Sequence, residues 1–512
     1  MAMRGPKHEL GDVIPVPYPT DGINNSSPAQ TLPDSQAEII ENFFYDYSSG
    51  ILRTRYPFRR YSNSILDGAA VNGITFWNNA IVFSAGGNLY YLDGSQDSVS
   101  IGSLNGIEPT RFLAFHSLLF VASGGVLQQV TTLWAISDTS NAPDAAIDLI
   151  EKNSQIGCIR DSTTDDEYWE CAVNDETTWA GVTSEQYPVG YYEDDVALIG
   201  LEDGPYGFVV IWKKGTSNKS TWWLNPNASS PVAKRVSTKE SSFTKRACAW
   251  VANKLFFMDE ALGFMAMEGV DETENLKINE ESLQVGSRIV KDWSMDANAF
   301  CVAYPKHSQL WLFPKIQDSF WVYDYRNKSI VSFKASGGLK FYSGFTQPNG
   351  TLMMGGEDGY IYQYEDPTTG TGNYQDDPGG VDTDYIQKFY SKIFEPFPLD
   401  EHIMKRLLID YNGLKVGAGT LNVLKEFGSQ PIKSDYNDVA VTITSSYPDM
   451  GDWVADDMGD HEDTYMWVNQ MQSLDINKNS PGVDNLRLQL EITSGAIEIR
   501  GISMHIARGR KE

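Results

Sequence analysis

A hairpin motif recurs along most of this chain, and it constrains the fold more than any other feature. An apolar strand, a turn of special residues and a second strand rich in aromatics appear as AIVFSAGGNLYYL at 80–92 and LLFVASGGVLQQV at 118–130. The same order returns as FVVIWKKGTSNKSTWWL at 208–224, LFFMDEALGFMAM at 255–267, LWLFPKIQDSFWVYDY at 310–325 and LMMGGEDGYIYQY at 352–364. Period-two alternation, Val/Ile/Phe/Tyr enrichment and a short turn are the marks of a β-hairpin. Gly86-Gly87, Gly124-Gly125 and Asp358-Gly359 supply residues that tolerate positive φ. Neighbouring units start mostly about 40–55 residues apart, near the spacing of four-stranded propeller blades. The pattern predicts a mainly-β chain whose residues 61–375 form a β-propeller of about six blades.

One interval, from 118 to 208, is about twice the usual length and holds either a degenerate blade or an insertion. Within it, residues 131–195 carry fifteen acidic residues against only Lys152 and Arg160, which reads as an exposed acidic insertion with some local structure. Residues 1–60 are polar and broken by Pro6, Pro15, Pro17, Pro19, Pro28 and Pro33, and read as an extended arm whose apolar run at 39–45 makes one ordered contact. Segment 366–384, with Asp-Asp-Pro-Gly-Gly, has linker composition, and a domain boundary is placed near 375–385. Beyond it, LLIDY, TLNVL, VAVTI, LRLQLEI and AIEIRGISMHI alternate cleanly and predict a C-terminal antiparallel β-sheet or sandwich over 385–512 that packs against the propeller. An acidic loop runs from Asp452 to Asp463.

The chain has 512 residues, enough for two to four domains, and its 41% hydrophobic content suits a packed core. No apolar run reaches the length of about 18 residues that a membrane helix needs, and the N-terminus lacks the apolar core of a signal peptide. Cys158, Cys171, Cys248 and Cys301 have no zinc-type spacing and read as reduced thiols, with a Cys158–Cys171 bridge as the alternative. A net charge of −28 is wrong for wrapping phosphate backbones, which takes Lys and Arg, but suits a solvated surface or a channel through which DNA slides.

No phosphate-binding G-x-x-x-x-G-K-[ST], no G-x-S-x-G and no H-E-x-x-H is present. The six histidines are scattered, and Asp475-Ile-Asn477-Lys-Asn479-Ser480 starts like a calcium loop but lacks its Gly and its bidentate Glu. Tyr90, Tyr91, Trp222, Trp223, Trp311 and Trp321 could stack on sugar rings, though strand-end aromatics more often pack between blades. No catalytic residue, metal site or cofactor is expected. The densest basic patch is Arg53, Arg55, Arg59 and Arg60, a candidate contact with an acidic neighbour or a solvated turn with local ion pairs.

Three stretches resemble one family. They are Ser49-Gly-Ile-Leu-Arg-Thr-Arg-Tyr-Pro57 leading to Gly87-Asn-Leu-Tyr90, then PKHSQLWLFPKIQDSFWVYDYRNKSIVSF leading to GGEDGYIYQY, and lastly Lys405-Arg-Leu407, Asn485-Leu-Arg-Leu488 and Ala496-Ile-Glu-Ile-Arg-Gly501. In this order they resemble the tail hub, or packaged-DNA stabilisation, proteins of short-tailed bacteriophages, also called nozzles. The acidic segments 131–195 and 450–463 lie outside the likeness.

That resemblance implies a structural virion protein, not an enzyme. It implies a homo-oligomeric ring, usually a hexamer, below the portal and its adaptor ring, made in the host cytoplasm and built into the tail. Double-stranded DNA would pass through the lumen without specific binding, and tail fibres or a needle would attach outside. The arginine cluster would then contact the neighbouring subunit or the adaptor. The alternative is a carbohydrate-binding or carbohydrate-active propeller, such as a phage receptor-binding protein. A host adhesion propeller is disfavoured by the missing signal peptide.

Overall fold

The computed structural model describes residues 12–508 apart from 25–26, 28–30, 64–67, 161–166, 180–184, 191–195, 205–206, 216–217, 226–227, 229–230, 270–275, 282–293, 366, 368–373, 395–401, 416, 428–429, 433–438, 444–470 and 475–484. The acidic loop from Asp452 to Asp463, the calcium-like segment at 475–480 and His461 therefore lie outside the described residues.

The chain between 58 and 364 builds seven four-stranded antiparallel units in sequence order. The first six span 71–103, 111–138, 146–188, 197–237, 248–280 and 300–334. The seventh takes three strands from 341–364 and its outermost strand, Phe58–Arg60, from far upstream. The inner strand of each unit lies beside that of the next, and that of the seventh lies beside that of the first, which closes a seven-bladed propeller. Closure depends on the borrowed strand, in register Phe58 to Tyr364, Arg59 to Gln363 and Arg60 to Tyr362.

The second strand of each blade is apolar on both faces because each face meets a different neighbour. In 209–214, Val209 and Ile211 pack toward the third blade while Val210 and Trp212 pack toward the fifth. In 255–258, Leu255 and Phe257 face the fourth blade and Phe256 and Met258 the sixth. Alternation of Cβ along a strand thus turns a continuous apolar run into two inter-blade seams. Each fully buried side chain of this kind contributes about 1.5–3 kcal/mol.

The blade count exceeds the expected six because the segment read as an acidic insertion is a blade. Strands Ala146–Lys152, Gln155–Arg160, Glu167–Glu170 and Glu185–Pro188 form the third blade. Its apolar side chains, including Ile150, Ile156, Ile159 and Tyr168, are buried against both neighbouring blades. Among the described residues, Asp144, Asp175 and Glu176 sit on connections, while Asp148 is fully buried within the first strand. Cys158 and Cys171 are buried free thiols on adjacent stretches of this blade.

The N-terminal arm is not a free arm either. Asp12–Pro15 pairs with 503–506, Phe43–Asp46 pairs with Ile51–Thr54, and the latter pairs with 498–499. Ile39–Glu41 pairs antiparallel with 388–390 and, at Glu41, parallel with Ser332 of the sixth blade. The prolines limit these strands to three or four residues without preventing pairing, and Ile40, Phe43 and Leu52 are buried at 1%, 0% and 1% exposure.

The C-terminal strands form two sheets with these arm strands. One has the order 43–46, 51–54, 496–508, 402–415, 471–474, with 12–15 also on 496–508. The other continues the sixth blade through 39–41 into 387–394, 485–492, 417–427 and 430–432, a ten-stranded sheet shared by propeller and C-terminal unit once 439–443 is included. Phe43, Leu52, Ile497 and Ile499 from the first sheet share one core with Ile40, Phe389, Leu488 and Leu490 from the second. That core runs on into Trp311, Phe320 and Phe341 of the propeller.

Candidate functional site

Two charged constellations lie inside the molecule, one on the propeller axis and one at its junction with the C-terminal unit. The axial one starts from four β-bulges. The inner strands skip register between Val71 and Gly73, Ala146 and Asp148, Leu198 and Gly200, and Phe341 and Ser343. A bulge leaves its extra residue outside the ladder. Three of the four displaced carbonyls are then met by two cations from the connection entering the fifth blade. Lys245 Nζ donates to Ile147 O at 2.6 Å, and Arg246 Nη1 donates to Asn72 O and Tyr342 O at 2.8 Å each. Arg246 Nη2 also donates to Asn298 O at 3.4 Å. Gly200 makes the approach possible, since a Cβ there would stand 2.7 Å from the Lys245 Cα.

Around these cations sit Glu108, Arg111, Asp148 and Glu202. Asp148 is fully buried and accepts from Arg111 Nε at 2.7 Å, from Leu149 N at 2.9 Å and from Leu201 N at 2.8 Å. Arg111 also lies 3.6 Å from Glu202, and Lys245 lies 3.2 Å from Glu108. Burial works against the Arg111 charge, but Asp148 and then Glu202 outweigh it and hold its pKa above the ordinary value. Burial raises Glu202 and lowers Lys245, each partly offset by its charged partners. Burial, then Arg111, pushes Arg246 down to about 9, which leaves it charged at neutral pH. The result is a filled axis where the inner strands begin, crossed by side chains from one connection that reach three other blades at Asn72, Ile147 and Tyr342 and two further connections at Glu108 and Asn298.

The second constellation answers the arginine cluster. Arg55 is fully buried, and all five of its N–H groups are used. They go to Asp376 Oδ1 at 2.9 Å, Asp376 Oδ2 at 2.5 Å, Asn42 Oδ1 at 2.8 Å, Lys334 O at 2.9 Å and Tyr56 O at 2.7 Å. Its guanidinium lies 3.8 Å from the Tyr385 ring centre. Asp376, also fully buried, accepts further from Phe58 N at 2.9 Å and Ser336 N at 2.8 Å. Burial opposes the Arg55 charge, and Asp376 outweighs it, so the pKa stands above the ordinary value.

Arg55 is therefore no contact for an adaptor or a second subunit, which corrects the expectation. It ties the arm, the closing strand, the sixth blade and the 374–385 segment to one another. The segment of linker composition is here a buried clamp, with Tyr374 and Tyr385 each 3% exposed. The other three arginines are half-buried and have partners in the same chain. Arg53 pairs with Glu498 at 3.2 Å, Arg59 with Asp382 at 2.6 Å, and Arg60 lies over the Tyr360 ring at 5.1 Å. Nothing in the sequence around Lys245 and Arg246 singled out the axial pair, because a lone Lys-Arg between blades looks like a solvated turn.

Among the described residues no group of His, Cys, Asp and Glu is placed to hold a metal ion. Of the aromatics that could stack on sugars, Trp222 and Trp311 are buried in inter-blade clusters, and Trp223 is buried and stacks on Phe208. Tyr90 stacks on Phe83 and Tyr91 on Trp134, the latter pair 4.0 Å apart. Tyr91 also lines a cavity of about 440 Å³ at the edge of the first blade.

The fold defines the class of protein: a seven-bladed β-propeller sharing a sheet with a second β unit. Solved structures similar to this chain include a streptogramin B lyase at 12% identity and TM-score 0.43, covering 60% of this chain and 97% of that one. They also include YCF48 bound to a D1 peptide, at 14% identity and TM-score 0.42, covering 61% of this chain and 97% of that one. The WD40 propeller domain of Doa1 is similar at 10% identity and TM-score 0.40, covering 61% of this chain and 98% of that one. No protein-family model matches the chain, and no curated protein matches it.

Proposed function

We propose that the chain is a structural component of a short phage tail: a hub that assembles as a ring below the portal and adaptor, extends the DNA channel and retains packaged DNA until ejection. The observation that carries this reading is the use of charge. The buried Arg55, Lys245 and Arg246 hold strands of different blades together, which suits a part whose role is mechanical. The mouth of the axis, where a propeller most readily houses a ligand, is occupied by Lys245 and Arg246. The sequence resemblance supports the same reading, and so does the net charge of −28, since a carboxylate-rich lumen repels the DNA it surrounds. In this role DNA runs between copies and not through a propeller, and no residue is catalytic.

The test is negative-stain electron microscopy of the purified protein, alone and mixed with a portal–adaptor complex. Hollow rings of the protein capping that complex are the expected outcome. Persistent monomers that ignore the complex would sink the proposal.

A further inference from the structure

The cavity of about 440 Å³ beside Tyr91 lies where two blade edges meet next to the closing strand. The first blade contributes Asn79 from its first turn, Tyr91, and Asp93 and Gln96 from its last turn. The seventh blade contributes Gln347, and Tyr61, just past the closing strand, lines the wall.

Three features of the lining limit what it can take. Tyr61, Phe76 and Tyr91, the last with one face already stacked on Trp134, give it a partly apolar lining. Its amides on Asn79, Gln96 and Gln347 make no side-chain hydrogen bond to any described residue, so their donors and acceptors are unspent. Among the described residues that line it, the one charge is the Asp93 carboxylate and none is basic. An anion such as a phosphate or nucleotide would meet repulsion there with no cation to offset it. A neutral polyol with one apolar ring face and paired hydroxyls matches all three features.

We propose that this cavity is a binding site for a neutral saccharide, such as a segment of a surface polysaccharide. The site goes beyond the hub reading and does not rest on it.

The test uses the full chain on an array of neutral glycans, with calorimetric titration of maltotriose, cellotriose and chitotriose, and adenosine monophosphate as the anionic control. Two variants accompany it: Gln96→Gly, which keeps the backbone conformation, and Gln347→Ala. At least one neutral glycan should bind the wild type. Both variants should weaken that binding about tenfold or more, equivalent to about 1.4 kcal/mol, with an unchanged melting temperature and unchanged capping of the portal–adaptor complex. Failure of every neutral glycan to bind, equal binding by both variants, or preference for the nucleotide would overturn the proposal. Loss of capping in the wild type would instead count against the hub reading alone.

Discussion

At the scale of single residues, the two internal constellations make opposite demands on charge. Arg55 and Asp376 are a mutually satisfied pair, so removing one side strands the other. Arg55→Met should destabilise the fold by about 3–5 kcal/mol, because Asp376 is left as an uncompensated buried carboxylate. Arg55→Lys should not rescue it, since an ammonium cannot match the fork that serves five acceptors. Arg59→Ala, four positions on, removes a partly exposed pair with Asp382 and should cost no more than about 1 kcal/mol. Urea unfolding of the three variants checks the ordering. Equal losses at Arg55 and Arg59 would mean that the cluster is a surface patch after all. On the axis, Arg246→Met leaves the Asn72 and Tyr342 carbonyls unmet and should cost about 2–4 kcal/mol by the same measurement. The sequence displayed the arginines plainly and hid their purpose, because Asp376 lies 321 residues from Arg55 along the chain.

At the scale of elements, the six hairpins read from the sequence are the middle strands of six blades. What made them legible was their double-sided apolar pattern together with conspicuous turns. The third blade has the same pattern in Ile147, Leu149, Ile156, Cys158 and Ile159, but acidic connections dilute it below recognition in a composition count. Turn chemistry was also easy to miss. The first turns of the first, third and fifth blades place Asn78-Asn79, Asn153-Ser154 and Ala252-Asn253 at positive φ without a glycine. The thiols give this blade a direct test. Cys158 and Cys171 are buried, and burial raises both pKa values, that of Cys171 to about 11. Because the thiolate is the reactive form, neither should be alkylated by iodoacetamide at neutral pH until the protein is denatured. Rapid labelling of the native protein at either position would return the segment to an exposed insertion.

At the scale of the whole molecule, the arm is the part that the sequence described least well. Its prolines and polar residues are those of a free segment, and apart from the local hairpin of 43–46 with 51–54 its strands pair with partners more than 250 residues away, which no local pattern can signal. It supplies the seventh blade's outer strand, the bridge from the sixth blade into the C-terminal sheet, and the partner of Asp376. Deleting residues 1–62 should therefore yield a chain that does not fold cooperatively, instead of a propeller lacking an appendage, as a broadened or absent thermal transition would report. Propeller, arm and C-terminal unit share strands and one core, and so should behave as one mechanical body. Hydrogen–deuterium exchange of the native protein, read at the amides of 39–41, 51–54 and 58–60 against those of the inner strands, tests it most directly. The arm amides should exchange as slowly as those of the inner strands and lose protection together with them in rising denaturant. Arm amides that exchange freely while the blades stay protected would contradict it.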